Sequence, residues 1–338
     1  MKILLIGHTG FIGKFLTRKL VEMGHKVAGL DIKEPSTEQK KICENFYGDI
    51  LSYEDVMKSA KGVELVISLA AKHHDFGIKK EEYFRVNEGG TINLLKCMSC
   101  LGIKKLIFYS SVAVYGTQDS PTTEESPLLP DTNYGRSKLA AENAIKKWVM
   151  EDKTREVIII RPTVIFGPEN YGNVYNLIDK IYKRRFIFVG DGSNIKSVAY
   201  VENLVDATIF LIDHLKPGIQ IFNYSDEPQM TTREIVDLIT EFMPHTIPKF
   251  KIPLSLAVLV GGIFDILAKI TGYNFPITAR RMQKFNTSTH HKAEKIRQLG
   301  FKQRITIREG FKRMIDWYEL NQMNKKSPYL ISKFKPTD

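Results

Sequence analysis

The sequence predicts an α/β protein: a doubly wound parallel sheet followed by a smaller C-terminal α/β region. Three observations point there. Through the first two-thirds of the chain, short and nearly unbroken apolar runs alternate with amphipathic stretches. That is the pattern of parallel strands buried on both faces and joined by helical crossovers. A glycine-rich turn stands between the first apolar run and the first amphipathic stretch. After about residue 165 the alternation gives way to an irregular stretch punctuated by Gly167-Pro168, Gly172, Gly190 and Gly192.

Element by element, KILLIG (2–7) reads as the first strand and 11–23 as the helix that follows it. KVAGLD (26–31), LVISLA (65–70), KLIFYS (105–110) and VIIIRP (157–162) are further strands, rich in β-branched and aromatic residues. Helical spacing marks 53–60, 81–101 and 134–150 between them. A helix over 200–214, a strand over 219–223 and a helix over 231–242 follow. These elements predict a dinucleotide-binding domain over 1–165, rejoined by segments around 195–225, a substrate-binding domain over 166–325, and a tail over 326–338. The run IPLSLAVLVGGIF (252–264) holds thirteen residues without a charge. A membrane span needs about 18 or more. The stretch 252–272 therefore reads as a core helix of the second domain or as a helix lying in a membrane interface.

Composition narrows the function classes. Hydrophobic residues at 43% and charged residues at 26% exclude a disordered or fibrous chain. Three cysteines favour a reducing compartment over a disulfide framework. The first apolar run is short and meets glycine at once, so no secretory signal is expected and a cytoplasmic location is. The net charge of +11 lies wholly in residues 241–338, where 18 Lys and Arg face 7 Asp and Glu, giving 18 − 7 = +11. A neutral front and a basic rear suit an anionic partner such as a diphosphate or an anionic lipid. No helix-turn-helix pattern or basic–aromatic interleaving supports nucleic acid. Cys97 and Cys100 form a CxxC with no second ligand pair, and His290-His291 lack a carboxylate at ligand spacing, so no metal is expected.

Gly7-His8-Thr9-Gly10-Phe11-Ile12-Gly13 carries the spacing GxxGxxG between strand and helix. There glycines permit a tight turn and let a pyrophosphate settle on the helix N-terminus. Asp31 ends the second strand eighteen residues past Gly13. A carboxylate there accepts from both adenine-ribose hydroxyls and repels a 2′-phosphate, which favours NAD over NADP. Asp49 and Ile50 follow the third strand position, where Asp49 either reaches the adenine amino group or caps the helix over 53–60.

Tyr134 and Lys138 stand four apart, on one face of a helix. An ammonium beside a phenol lowers the phenol's pKa, so Tyr134 can exchange a proton with a sugar hydroxyl near neutral pH. Ser111 ends the strand twenty-three residues upstream, and its hydroxyl can bond the same substrate oxygen. With these motifs the chain resembles the extended short-chain dehydrogenase/reductase family of nucleotide-sugar epimerases and dehydratases, over roughly residues 1–320. The resemblance implies a Rossmann-type fold, tightly held NAD, a homodimer, and Ser111, Tyr134 and Lys138 as catalytic residues. It also implies that Ala70, and Pro162 within Arg161-Pro162-Thr163, lie along the cofactor. The family's His before the Ala-Ala pair is absent here, where Ser68-Leu69-Ala70-Ala71 stands.

Dehydratases of the family carry an Asp-Glu pair where this chain has Val112 and Ala113. Decarboxylases want a Glu, and epimerase–reductases a Cys, at the place of Ala113. What remains is hydride removal and return at one alcohol carbon, a 4-epimerase or a simple alcohol dehydrogenase. AAKHHD (70–75), SSVAVYG (110–116), RPTVIFG (161–167), GNVYNL (172–177), KSVAYV (196–201) and the Ile252–Gly272 segment look like the subgroup of 4-epimerases acting on N-acetylglucosamine diphosphate-linked to undecaprenol. That resemblance implies a lipid-linked substrate at the cytoplasmic membrane face and a place in O-antigen and lipopolysaccharide biosynthesis. A soluble UDP-GlcNAc or UDP-glucose 4-epimerase and a hydroxysteroid-type dehydrogenase stay open. Lys196, by resemblance, and Arg281, with Arg280 and Lys284, are diphosphate candidates or solvated charge. His73 and Asp75, and Asn173 and Asn176, are sugar-contact candidates or loop and cap residues. Membrane contact is expected through 252–284.

Overall fold

The computed structural model describes residues 1–73, 78–118, 121–243, 251–271, 279, 283 and 286–326. In chain order, β1 (Lys2–Ile6), α1 (Phe11–Glu22), β2 (Lys26–Asp31), α2 (Thr37–Ile42), β3 (Glu44–Tyr47), α3 (Tyr53–Ser59) and β4 (Leu65–Ser68) open the fold. Next come α4 (Lys80–Phe84), a single π turn (Arg85–Gly89), α5 (Gly90–Cys100), β5 (Lys105–Tyr109), α6 (Asn133–Glu151), β6 (Glu156–Pro162) and β7 (Val164–Phe166). Then follow α7 (Asn173–Tyr182), β8 (Phe188–Val189), β9 (Ile195–Lys196), β10 (Val198–Tyr200), α8 (Val201–Ile212) and β11 (Gly218–Tyr224). The last of the labelled elements are β12 (Met230–Thr231), α9 (Thr232–Phe242), β13 (Lys251–Ile252) and α10 (Leu254–Thr271), with helices Glu294–Gln298 and Ile307–Lys326 closing the series.

The chain divides into two compact units. The first joins Met1–Ile165, Val201–Ser225 and His291–Arg304. It holds a seven-stranded parallel sheet in the order β11-β6-β5-β4-β1-β2-β3, a Rossmann-type arrangement. The strand sequences dictate the layering. Ile3, Leu4, Leu5, Val66, Ile67, Leu106, Ile107, Ile158 and Ile159 are all fully buried, so successive side chains find apolar cover on both faces. On one face Leu4, Val66, Leu106 and Val157 pack with Leu94 and Met98 of α5 and with Ala141 and Ile145 of α6. On the other, Tyr109 shares a 2.5 Å hydrogen bond with Thr208 of α8. The strand order reverses between β1 and β4, which places a crevice for ligands outside their carboxyl ends.

The second unit joins Phe166–Tyr200, Asp226–His290 and Ile305–Asp338. Its described part is mainly helical. Phe166 stacks on Phe311 at 4.4 Å between ring centroids, and Tyr175 meets Trp317 and Tyr318 edge-on. Its strands are short and include two two-residue pairs, β9 with β12 and β8 with β13. Helix α9 is closed by a capping box, with Thr231 and Glu234 each bonding the other's backbone.

Some elements differ from the sequence expectation: the strand expected over 65–70 ends at Ser68, and the helix expected over 200–214 is Val201–Ile212. Ile252 belongs to β13, so the apolar helix begins at Leu254. The stretch 81–101 is helical but carries the π turn at Arg85–Gly89. No helix among the described residues is long and apolar enough to cross a membrane.

Candidate active site

The glycine turn lies where the strand order reverses. Gly7 N donates to Leu30 O at 2.8 Å and Leu69 N to Ile6 O at 2.9 Å, stitching β1 to both neighbours as it ends. A Cβ on Gly13 would stand 2.3 Å from Gly7 O and 2.6 Å from His8 O, so only glycine lets α1 begin this close to the turn. Gly10 is the N-cap of α1 and offers no side chain to the first-turn amides. Phe11 and Ile12 lie half-buried in that turn, whose free N–H groups and dipole favour an anion. Asp31 accepts from Thr9 N and Lys33 N, both at 3.1 Å, which aligns its carboxylate beside the turn. Ala70 backs onto Gly7, whose Cβ would meet Ala70 N at 3.1 Å. Three buried hydroxyls, on Thr9, Ser68 and Thr163, lack a hydrogen-bond partner among the described residues. They follow or end β1, β4 and β6, the carboxyl edge where a dinucleotide would satisfy them. These residues fit NAD.

Two adenine-side candidates are placed differently from each other. Asp49 Oδ1 accepts from Leu51 N at 3.0 Å. The cap of α3 is Ser52, whose hydroxyl accepts from Asp55 N at 3.2 Å, so the capping alternative for Asp49 is corrected. Ile50 is buried, and its side chain fills the space a Cβ on Gly90 would take.

Ser111, Tyr134 and Lys138 come from two elements that touch. Ser111 caps a single 3-10 turn, Val112–Val114, and its hydroxyl accepts from Ala113 N at 3.1 Å. Thr132 caps α6 by accepting from Gly135 N at 3.0 Å, which starts the helix one residue before Tyr134. A Cβ on Gly135 would stand 2.3 Å from Ala113 O, so glycine lets the start of α6 press against the Ser111 turn. Tyr134 is half-buried, 6.5 Å from the Tyr83 ring. Lys138 is buried with its ammonium 4.2 Å from the centre of the Phe108 ring. Burial pushes the Lys138 ammonium down to about 7, while Glu142 pulls the other way. Pro162 ends β6, buried, next to Thr163.

The sequence reading missed the polar groups behind these three. Asn87, inside the π turn, bonds both Lys72 N and O, at 2.8 and 3.0 Å, and donates to Ser137 Oγ at 2.9 Å. Ser137 in turn donates to Tyr134 O at 2.8 Å. Asn87 falls on the buried stripe Tyr83–Asn87–Thr91–Leu94, and a polar residue on such a stripe was the available signal. Tyr115 is core: it is fully buried, and burial raises its phenol to about 12.

His73 is exposed after β4. Asp75, Arg281 and their neighbours His74, Arg280 and Lys284 lie outside the described residues. In the second unit, Asn173 and Asn176 are exposed on the first turn of α7. Lys196 donates its ammonium to Thr287 O at 2.6 Å.

This glycine turn and Ser–Tyr–Lys arrangement on a doubly wound sheet define a nucleotide-cofactor enzyme of the short-chain dehydrogenase type. The NAD dependent epimerase/dehydratase family model matches residues 3–224, and the chain belongs to that family. It is 35% identical to the N-acetyl-alpha-D-glucosaminyl-diphospho-ditrans,octacis-undecaprenol 4-epimerase of Escherichia coli O157:H7, over 98% of this chain and 99% of that protein. It is 29% identical to UDP-glucose 4-epimerase of Vibrio cholerae, over 92% and 93% of the two chains. Its fold matches UDP-glucose 4-epimerase of Thermotoga maritima, with a TM-score of 0.77 at 20% identity, over 95% of this chain and 100% of that one.

Proposed function

We propose that the protein is an NAD-dependent 4-epimerase that interconverts GlcNAc and GalNAc carried on undecaprenyl diphosphate. The observation that carries the epimerase reading is the closed set Ser111, Tyr134 and Lys138, with Val112 and Ala113 offering no second acid or base. The lipid-linked substrate is supported by the 35% identical relative.

NAD, when bound by the Gly7–Gly13 turn and Asp31, supplies the hydride acceptor and donor. The chain does the rest. Ser111 Oγ orients the sugar's O4, and Tyr134 takes the O4 proton under the influence of the Lys138 ammonium. With the C4–H electron pair removed, a 4-keto sugar results. It turns over within the site and receives hydrogen on its other face, while Tyr134 returns the proton to O4. Lys138 is buried and Tyr134 half-buried, which keeps the ammonium out of bulk water beside the phenol. In this reading the first unit holds NAD, and Asn173, Asn176 and Lys196 are candidates for sugar and diphosphate contacts.

The same reading makes the enzyme peripheral to the inner face of the cytoplasmic membrane. Support comes from α10, where Leu256, Leu259, Ile263 and Leu267 are exposed in one stripe while Ala257 is buried. The basic charge of residues 241–338 complements anionic lipid. A homodimer through α5 and α6 belongs to the same reading; the open groove between those helices has an apolar floor of Ile92, Leu95 and Ala144 edged by Lys96, Lys147 and Glu151.

Purified protein offered undecaprenyl-diphosphate-GlcNAc and UDP-GlcNAc separately should form the C4 epimer of the first alone. Turnover of UDP-GlcNAc alone makes it a nucleotide-sugar epimerase, and net NADH release makes it a dehydrogenase. Tyr134→Phe should lower turnover by about a hundredfold or more with NAD still bound.

A further inference from the structure

We propose that Glu142, Arg161 and Tyr115 are positioning residues, a buried network that fixes the Ser111 turn against the helix bearing Tyr134 and Lys138. The proposal rests on the reading of those three as the reacting groups.

Tyr134, Lys138 and Glu142 follow at intervals of four along α6 and share one face. The Glu142 carboxylate is completely buried and receives Arg161 Nε at 2.9 Å and Nη2 at 2.6 Å, a two-pronged pairing. It also receives Ser110 Oγ at 2.5 Å, and Ser110 directly precedes Ser111. Arg161 comes from β6, and its Nη1 donates to the Tyr115 hydroxyl at 2.8 Å. Tyr115 closes the 3-10 turn that Ser111 opens. Its hydroxyl donates onward to Asn223 Oδ1 at 2.7 Å, and its ring stacks on His291. One ion pair therefore grips both ends of the Ser111 turn, the carboxylate through Ser110 and the guanidinium through Tyr115.

Stability alone does not account for this pair. Two charges with 0–1% exposure carry a desolvation cost that apolar side chains of like volume avoid. Such a network is worth keeping where it specifies one arrangement of the elements it joins. Here those elements are the turn that follows β5, α6 and β6, and the first two supply every reacting side chain. Around Lys138 stand the Phe108 ring from β5 and, from α6, Tyr134 and Glu142, with Arg161 of β6 and Ser110 behind Glu142. Glu142 is the group that offsets the burial of the Lys138 ammonium.

Glu142→Gln alone strands the Arg161 charge and can unfold the protein, so the test uses the charge-free pair Glu142→Leu with Arg161→Met, and Tyr115→Phe separately. Melting temperature, bound NAD, kcat, KM and the pH profile are read on the sugar the wild type turns over. The double variant should melt near the wild type and keep NAD, while kcat falls about a hundredfold with KM nearly unchanged. The alkaline limb of kcat should move to lower pH, because Lys138 has lost its counter-charge. A folded, NAD-loaded double variant with wild-type kcat and pH profile overturns the proposal. If the double variant does not fold, Tyr115→Phe decides: kcat down about tenfold supports positioning, and unchanged kcat overturns it. Active Tyr134→Phe would instead sink the underlying reading of the site.

Discussion

Lys138 sits in an environment far from that of its free side chain. An unfolded lysine keeps its proton to about pH 10, whereas burial lets the folded one release it near pH 7. Between those values the unfolded chain binds more protons, so folding stability rises with pH across that window. Below it both states are protonated and the full desolvation cost stands. Lys138→Met should therefore be more stable than the wild type at pH about 6, with the advantage shrinking by pH about 9; denaturant midpoints at the two pH values check it. Asp31 gives a second expectation at this scale. Its carboxylate is oriented by Thr9 N and Lys33 N, and Asp31→Ser should weaken NAD about tenfold while improving NADP. The ratio of the two dissociation constants is the measurement.

At the scale of elements, the start of α6 is set by what it presses against. Gly135→Ala would drive a methyl into Ala113 O, which stands 2.3 Å from the required position. Overpacking of this kind costs about 1–3 kcal/mol, and turnover should fall further than melting temperature alone explains because Tyr134 moves with the helix. Comparing kcat with the melting curve of the variant separates the two effects. The helix containing Asn87 shows why an element can be legible while its detail is not. The apolar spacing over 81–101 marks a helix whether or not one turn is π. Within the π turn Asn87 faces Lys72 and Ser137 at once, and those partners lie 15 and 50 residues away in sequence.

For the molecule as a whole, charge and apolar exposure fall in the same part of the chain. The excess of eleven positive charges lies in 241–338, which includes α10 with Leu259 at 65% and Ile263 at 53% exposure. Leu259→Ser with Ile263→Ser should abolish cosedimentation with anionic vesicles and leave NAD binding intact, since neither side chain is buried in its own unit. Vesicle binding equal to that of the wild type would remove α10 as the contact. The sequence alone determined the parallel sheet, because five nearly unbroken apolar runs have no stable alternative to burial on both faces. It also determined the glycine turn and the placing of Tyr134 and Lys138 on one helix face, which depend only on spacing along one strand–turn–helix and one helix. Short polar elements escaped it: β3 (Glu44–Tyr47) is half-exposed and carries no alternation, so only pairing with β2 makes it a strand. The Glu142–Arg161 pair escaped it as well. Burying two charges is tolerable only when each finds the other across the fold, and nineteen residues and a crossover separate them in the chain.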